Sequence, residues 1–205
     1  MKRAFYARPV LEVAEDLIGC VVSHAGTSGV IVETEAYHFS EPACHAYVGV
    51  TNRTRVIFGP PGIAYLYRSY GIHACLNAVC EPDGVGAAVL IRALEPVSGV
   101  DLMRSRRDVE RLENLCSGPG KLTQALDIGL ELNGTDLLRG PIRIADRPRA
   151  WRDVEVVTSR RIGITKAVEL PWRFSALGSR FLSRPALSRV ERVASQPIES
   201  PLVPR

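Results

Sequence analysis

The run Val30-Ile31-Val32-Glu33-Thr34-Glu35-Ala36-Tyr37 constrains this chain more than any other stretch. It begins apolar and β-branched and ends in acidic and aromatic residues, which reads as a strand rather than a helix. A regular strand sends Ile31, Glu33, Glu35 and Tyr37 to one face and Val30, Val32 and Thr34 to the other. Two carboxylates and a ring on one face are costly unless that face lines a pocket, meets a charged partner or reaches solvent. His45 lies ten residues after Glu35, and the segment Tyr65-Leu66-Tyr67-Arg68-Ser69-Tyr70-Gly71 comes later. Carboxylate, histidine and aromatic rings together point to chemistry on a flat, ring-shaped substrate.

Other elements follow from punctuation by proline and glycine. Residues 9–19 read as a helix, with Pro9 at the start and Gly19 at the end. Residues 20–24 and 29–37 read as a hairpin around Ala25-Gly26-Thr27-Ser28. Residues 38–62 are loop-like. Residues 64–70 and 72–79 form a second strand pair with Tyr70-Gly71 at its corner. Residues 87–94 are an apolar strand closed by Glu95-Pro96, residues 97–108 and 120–128 are helices, and the rest is short strands. Strands dominate and helices flank them, which predicts one mixed α+β domain over residues 1–201. The last residues, Leu202-Val203-Pro204-Arg205, look like the remnant of an engineered protease-cleavage linker.

Five cysteines, an odd number with no C-x-x-C pair, read as reduced buried thiols. That excludes a disulfide framework, a zinc ribbon and a four-cysteine iron–sulfur site. No apolar run approaches the ~20 residues that cross a bilayer, and the N-terminus lacks a secretory apolar segment. The chain therefore reads as cytoplasmic or nucleoid-associated, with no membrane partner. Net charge is +4 but uneven: residues 1–140 carry 13 basic and 16 acidic side chains, and residues 141–205 carry 13 and 6. The second set includes Arg143, Arg147, Arg149, Arg152, Arg160, Arg161, Arg173, Arg180, Arg184 and Arg189. Such a patch suits a polyanion, and equally a solvated basic surface.

Several ordered blocks resemble the alkyladenine (3-methyladenine) DNA glycosylase family. They are Val32-Glu33-Thr34-Glu35-Ala36-Tyr37, His45-Ala46-Tyr47, Phe58-Gly59-Pro60-Pro61-Gly62, Tyr65 through His73, Cys75-Leu76-Asn77, Leu90 through Pro96 and Leu115 through Leu122, with a weaker echo at Pro171-Trp172-Arg173-Phe174. The resemblance implies a mainly antiparallel, curved sheet with flanking helices and a protruding β-hairpin that enters the DNA minor groove. It implies a monomeric base-excision-repair enzyme that needs no metal or cofactor. Such an enzyme flips an alkylated or deaminated purine out of double-stranded DNA and hydrolyses its N-glycosidic bond.

Cleaving that bond through an oxocarbenium-like transition state needs a nearby negative charge and a poised water, and one carboxylate can supply both. By resemblance, Glu35 is that general base. Glu33 is the competing candidate, or else a salt-bridging residue of the fold. By the same resemblance, Tyr37, His45 and Tyr67 wall the base pocket and Asn77 discriminates against normal guanine. Arg92 sits beside the catalytic water and the target phosphate, and a buried arginine there also suits an ion pair with Glu33 or Glu95. Tyr70 is the wedge that fills the gap left by the flipped nucleotide. Arg53, Ser117, Gly118 and Lys121 contact the DNA backbone, the last three as a phosphate seat opening a helix. Tyr65 has no carried-over role and reads as a core aromatic. Arg68, Ser69 and Thr54 depart from the family pattern. The lysines are Lys2, Lys121 and Lys166, none in the pocket blocks, so no amine is placed for a Schiff base and the enzyme reads as monofunctional. Two rival readings use other features. Paired carboxylates suit an O-glycoside hydrolase, and the basic second half suits a non-catalytic nucleic-acid binder.

Overall fold

A computed structural model of the chain describes residues 1–69, 71 and 73–185. Two long strands form its spine. β2 (Thr27–His38) and β5 (Ala87–Ser98) pair antiparallel along almost their whole length. Around them one sheet runs in the order β3 (Ala64–Ser69), β4 (His73–Val79), β5, β2, β1 (Val21–His24) and β6 (Arg143–Ala145). A short arm, β7 (Val156–Ser159) with β8 (Arg173–Ala176), joins β2 through β8. The expected mixed α+β architecture is present, and among the described residues no helix is long and apolar enough to cross a membrane.

Alternation divides the sheet into two faces with different work. Leu66, Leu76, Ala78, Val89 and Ile91 join the main core. Helix α2 (Val10–Asp16) adds Val10, Val13 and Ala14 to it. Helix α5 (Pro119–Leu126), which follows α1 (Arg3–Tyr6), α3 (Val100–Arg107) and α4 (Leu112–Leu115), adds Leu122, Ala125 and Leu126. Each fully buried Leu, Ile or Val contributes about 1.5–3 kcal/mol, so this face holds the fold together. The intervening residues Tyr65, Tyr67, Cys75, Asn77, Ala88 and Leu90 border a cavity on the other face.

The structure corrects several expected boundaries. The first hairpin turns on Ala25 and Gly26 alone, with φ of 44° and 77°, so Thr27 and Ser28 belong to β2. Two consecutive positive φ values give the tight turn that matches strand twist. β5 does not stop at Glu95-Pro96 but continues to Ser98, with Pro96 opposite Gly29 next to a register shift. The helix expected over 97–108 accordingly begins at Val100.

The more consequential correction lies in the spine. Ile31 pairs with Leu94, Glu33 with Ala93 and Thr34 with Ile91, which leaves Val32 and Arg92 as extra residues in opposed irregularities. A bulge reverses the faces beyond it. Ile31 therefore does not share the carboxylate face. It lies in the main core, and Thr34 donates its hydroxyl to Ala14 O at 2.8 Å on the helix side. The offset at Arg92 swings its side chain toward the two glutamates.

Candidate active site

Glu33 and Glu35 are both fully buried, and their partners separate their roles. Glu33 is saturated by structural donors. Arg173 Nε lies 2.6 Å from its Oε1, Ser183 donates its amide to Oε2 at 2.6 Å and its hydroxyl to Oε1 at 2.8 Å, and Arg92 Nε stands 3.3 Å away. The ion pair anticipated for Glu33 is thus present, and it pins β2 to β8. Glu35 receives the Tyr37 hydroxyl on Oε2 at 2.7 Å, Arg92 on the same oxygen at 3.3 Å and the Ile162 amide on Oε1 at 2.8 Å. Burial raises its carboxyl pKa, against the pull of Arg92, the Ile162 amide and the Tyr37 hydroxyl. Arg92 is held between the two carboxylates; Glu95, the other partner considered for it, is not among its ion-pair contacts.

The cavity in front of this cluster encloses about 400 Å³, enough for a purine-sized ring system. Tyr37, His45, Tyr67, Asn77 and Arg92 all border it, so five of the positions singled out in the sequence come together here. Glu35 lies behind Tyr37 and Arg92. His45 packs edge-on against Tyr67 with centroids 4.5 Å apart and an interplanar angle of 80°. Tyr65, read as a core aromatic, is buried yet borders the cavity, and its hydroxyl is 3.1 Å from His45 Nδ1. Asn77 uses Nδ2 to hold the carbonyls of Tyr65 and Cys75 at 3.1 and 3.3 Å, which locks its amide in the wall.

The mouth is basic. Arg53 reaches His45 Nε2 at 3.3 Å and stands 5.9 Å from the Tyr67 ring centroid. Burial and the nearby Arg53 cation both lower the His45 pKa, so the imidazole is neutral near pH 7. Arg68 and Ser69, the departures in β3, border the cavity as well. Thr54 is buried and ties its own loop, donating to Gly49 O at 2.8 Å and accepting from the Thr51 amide at 2.8 Å. A residue so engaged staples the loop that carries Arg53. At the start of α5, Pro119 borders the cavity and Lys121 Nζ lies 3.2 Å from Ser117 Oγ. Gly118 takes the N-cap position beside them. Tyr70, the expected wedge, lies outside the described residues, as do Arg189 and the 202–205 tail.

Sequence reasoning missed one segment. Arg161, Ile162, Gly163 and Ile164 bring the Glu35-bonding amide and part of the cavity wall. The signal there, Arg160-Arg161 ahead of Ile162, was read only as part of the basic patch. Ser183 was also missed, because its role is a chain-distant bond to Glu33 that no local pattern marks.

Comparison with known proteins identifies the family. The model of the methylpurine-DNA glycosylase (MPG) family matches residues 4–180. The chain belongs to the methylpurine-DNA glycosylase family. A Bradyrhizobium diazoefficiens relative is 58% identical over 185 residues, covering 90% of this chain and 91% of its own, and is named "Putative 3-methyladenine DNA glycosylase". A Rhodopseudomonas palustris (strain BisB18) protein of the same name is 55% identical with the same coverage. A Methanoculleus marisnigri protein of that name is 51% identical over 88% of this chain and 97% of its own. The matched span includes the carboxylate cluster up to Arg173 and every described residue that borders the cavity.

Proposed function

We propose that the protein is a monofunctional DNA glycosylase of base-excision repair, acting in the cytoplasm. It hydrolyses the N-glycosidic bond of alkylated or deaminated purines, the 3-methyladenine, 7-methylguanine, hypoxanthine and ethenoadenine class, and leaves an abasic site. The observation that carries this reading is the buried Glu35, held by Arg92, Tyr37 and the Ile162 amide behind an aromatic-walled cavity of about 400 Å³.

The chemistry follows from that arrangement. A base must leave the duplex before its glycosidic bond can be reached, and it is received between flat, polarisable walls. Tyr37, His45 and Tyr67 are those walls and Asn77 disfavours normal, unalkylated guanine. Stacking on electron-rich rings favours bases that carry positive charge. Ionised Glu35 draws a proton from the attacking water and steadies positive charge on the sugar; Arg92 orients that carboxylate and faces the phosphate side. Tyr70 fills the vacated stack, while Arg53, Ser117, Gly118 and Lys121 hold the backbone. A paired-carboxylate mechanism is disfavoured because Arg173, Ser183 and Arg92 occupy the oxygens of Glu33.

The test is a duplex carrying one hypoxanthine or one 7-methylguanine, incubated with the purified protein and then treated with alkali. Strand breaks at the lesion that require alkali, with no protein–DNA adduct trapped by borohydride, are expected. Breaks without alkali together with a trapped adduct would overturn the monofunctional assignment, and failure to release either base would overturn the function.

A further inference from the structure

Behind the cavity wall lies an ion pair that the base-release mechanism does not use. Arg161 has no exposed side-chain surface and Glu41 has 6%. The two meet as a fork, Nη1 to Oε1 at 2.7 Å and Nη2 to Oε2 at 3.0 Å. Nη1 also reaches Ala36 O at 3.0 Å, the carbonyl between Glu35 and Tyr37, and Nη2 reaches Ala167 O at 3.3 Å. The guanidinium carbon stands 4.7 Å from the Tyr37 ring centroid and 5.3 Å from that of Trp172. Tyr37 borders the cavity and Arg161 does not, so the cation covers the outer face of the ring. The next residue, Ile162, supplies the amide that holds Glu35 Oε1.

Packing alone does not call for such a pair. Desolvating two charges is expensive, and an apolar side chain would fill the space at lower cost. A fork does what an apolar group cannot: it fixes orientation and brings charge to a stated place. Here it fixes three things at once: the Ala36 carbonyl, the Tyr37 ring and the peptide that leads into Ile162. It also sets the electrostatics of the wall. A ring attracts cations through its negative face, and a cation already on one face weakens the attraction of the other for a second cation. The Glu41 carboxylate offsets most of that effect.

We propose that Arg161 is a positioning and specificity-determining residue: clamped by Glu41, it orients Tyr37 and the Ile162 amide toward Glu35, and the balance of charge between Arg161 and Glu41 sets how well the inner face of Tyr37 stacks a cationic base relative to a neutral one. The inference rests on the base-release reading above.

Single-turnover release of 7-methylguanine, cationic as its nucleotide, and of hypoxanthine, neutral, is measured for the parent, Glu41→Gln and Arg161→Gln. Glu41→Gln keeps the size of the side chain and one acceptor of the fork, and leaves the cation behind Tyr37 uncompensated. It lowers the 7-methylguanine to hypoxanthine rate ratio by about three- to tenfold. Arg161→Gln removes the cation, slows both bases and does not lower the ratio. A purely structural support would slow both bases equally in both variants, and that result, or an unchanged rate in Glu41→Gln, overturns the inference. If Arg161→Gln does not fold, the ratio in Glu41→Gln decides alone. A parent protein that releases neither base removes the function itself and this inference with it, whereas an active parent with an unmoved ratio removes only this inference.

Discussion

Three donors converge on Glu35, yet burial outweighs them and the carboxyl pKa moves up. The consequences have opposite signs for catalysis and for stability. In the proposed mechanism base release needs the ionised form, so its rate rises with pH through a limb lying above the ordinary glutamate value of ~4.3. Stability runs the other way. A carboxyl whose folded pKa is raised contributes fully below its unfolded value, and that contribution is lost as pH rises through the folded one. The Tyr37 hydroxyl is the most readily removed of the three donors. Tyr37→Phe keeps the ring in the wall but takes one bond from the carboxylate. The acidic limb of the rate profile should then move up by about one pH unit, since a hydrogen bond to a charged group contributes about 1.5–3 kcal/mol and one pH unit is about 1.4 kcal/mol. A profile that stays in place would show that the 2.7 Å bond does not tune Glu35.

Among the elements, the two irregularities of the β2–β5 spine place the site. Val32 and Arg92 are the unmatched residues, and they separate an apolar stretch around Ile31 from the stretch that carries Glu33, Glu35 and Tyr37. The strand itself was plain from β-branched composition, and so was the shared parity of Glu33, Glu35 and Tyr37; the place of Tyr65 at the cavity, against its reading as a core aromatic, was not. The bulge was not legible, because a single extra residue carries no propensity signal and arises from pairing with a distant strand. The role of Glu33 stayed open for the same reason: its donors, Arg173 and Ser183, lie about 140 and 150 residues further on, as the 140- and 150-residue separations of those bonds record. Helix α5 meets β4 where Gly120 faces His73, and a Cβ built on Gly120 would stand 2.6 Å from His73 Cβ and Cγ. Gly120→Ala must push the helix away from β4. Overpacking costs about 1–3 kcal/mol, a fall in melting temperature of roughly 2–10 °C for a chain of this size. Thermal denaturation followed by circular dichroism reads it, and an unchanged midpoint would show that the contact is slack.

Across the whole molecule, the arginine excess of residues 141–205 divides into an engaged set and an exposed set, which composition alone could not separate. Arg161 and Arg173 are buried in ion pairs with Glu41 and Glu33, and Arg147 donates to the carbonyls of Glu15 and Asp16 near the end of α2. Arg143, Arg149, Arg152, Arg160 and Arg184 are exposed. With Arg53 and Lys121 they are the candidates for phosphate contacts, so log affinity for duplex DNA should fall linearly with log salt, by about 0.9 per phosphate neutralised. A flat dependence in a fluorescence-anisotropy titration would contradict a phosphate-dominated interface. The measurement that bears most directly on the account is the single-turnover rate of hypoxanthine release by Glu35→Gln and Glu33→Gln, each with its affinity for the same duplex and its melting temperature. The account predicts that Glu35→Gln binds DNA nearly as the parent does and releases no base, because a water-activating carboxylate acts on the chemical step. Glu33→Gln should melt lower, through its lost bonds to Arg173 and Ser183, and still release base where it remains folded. An active Glu35→Gln beside a folded but inactive Glu33→Gln would contradict it.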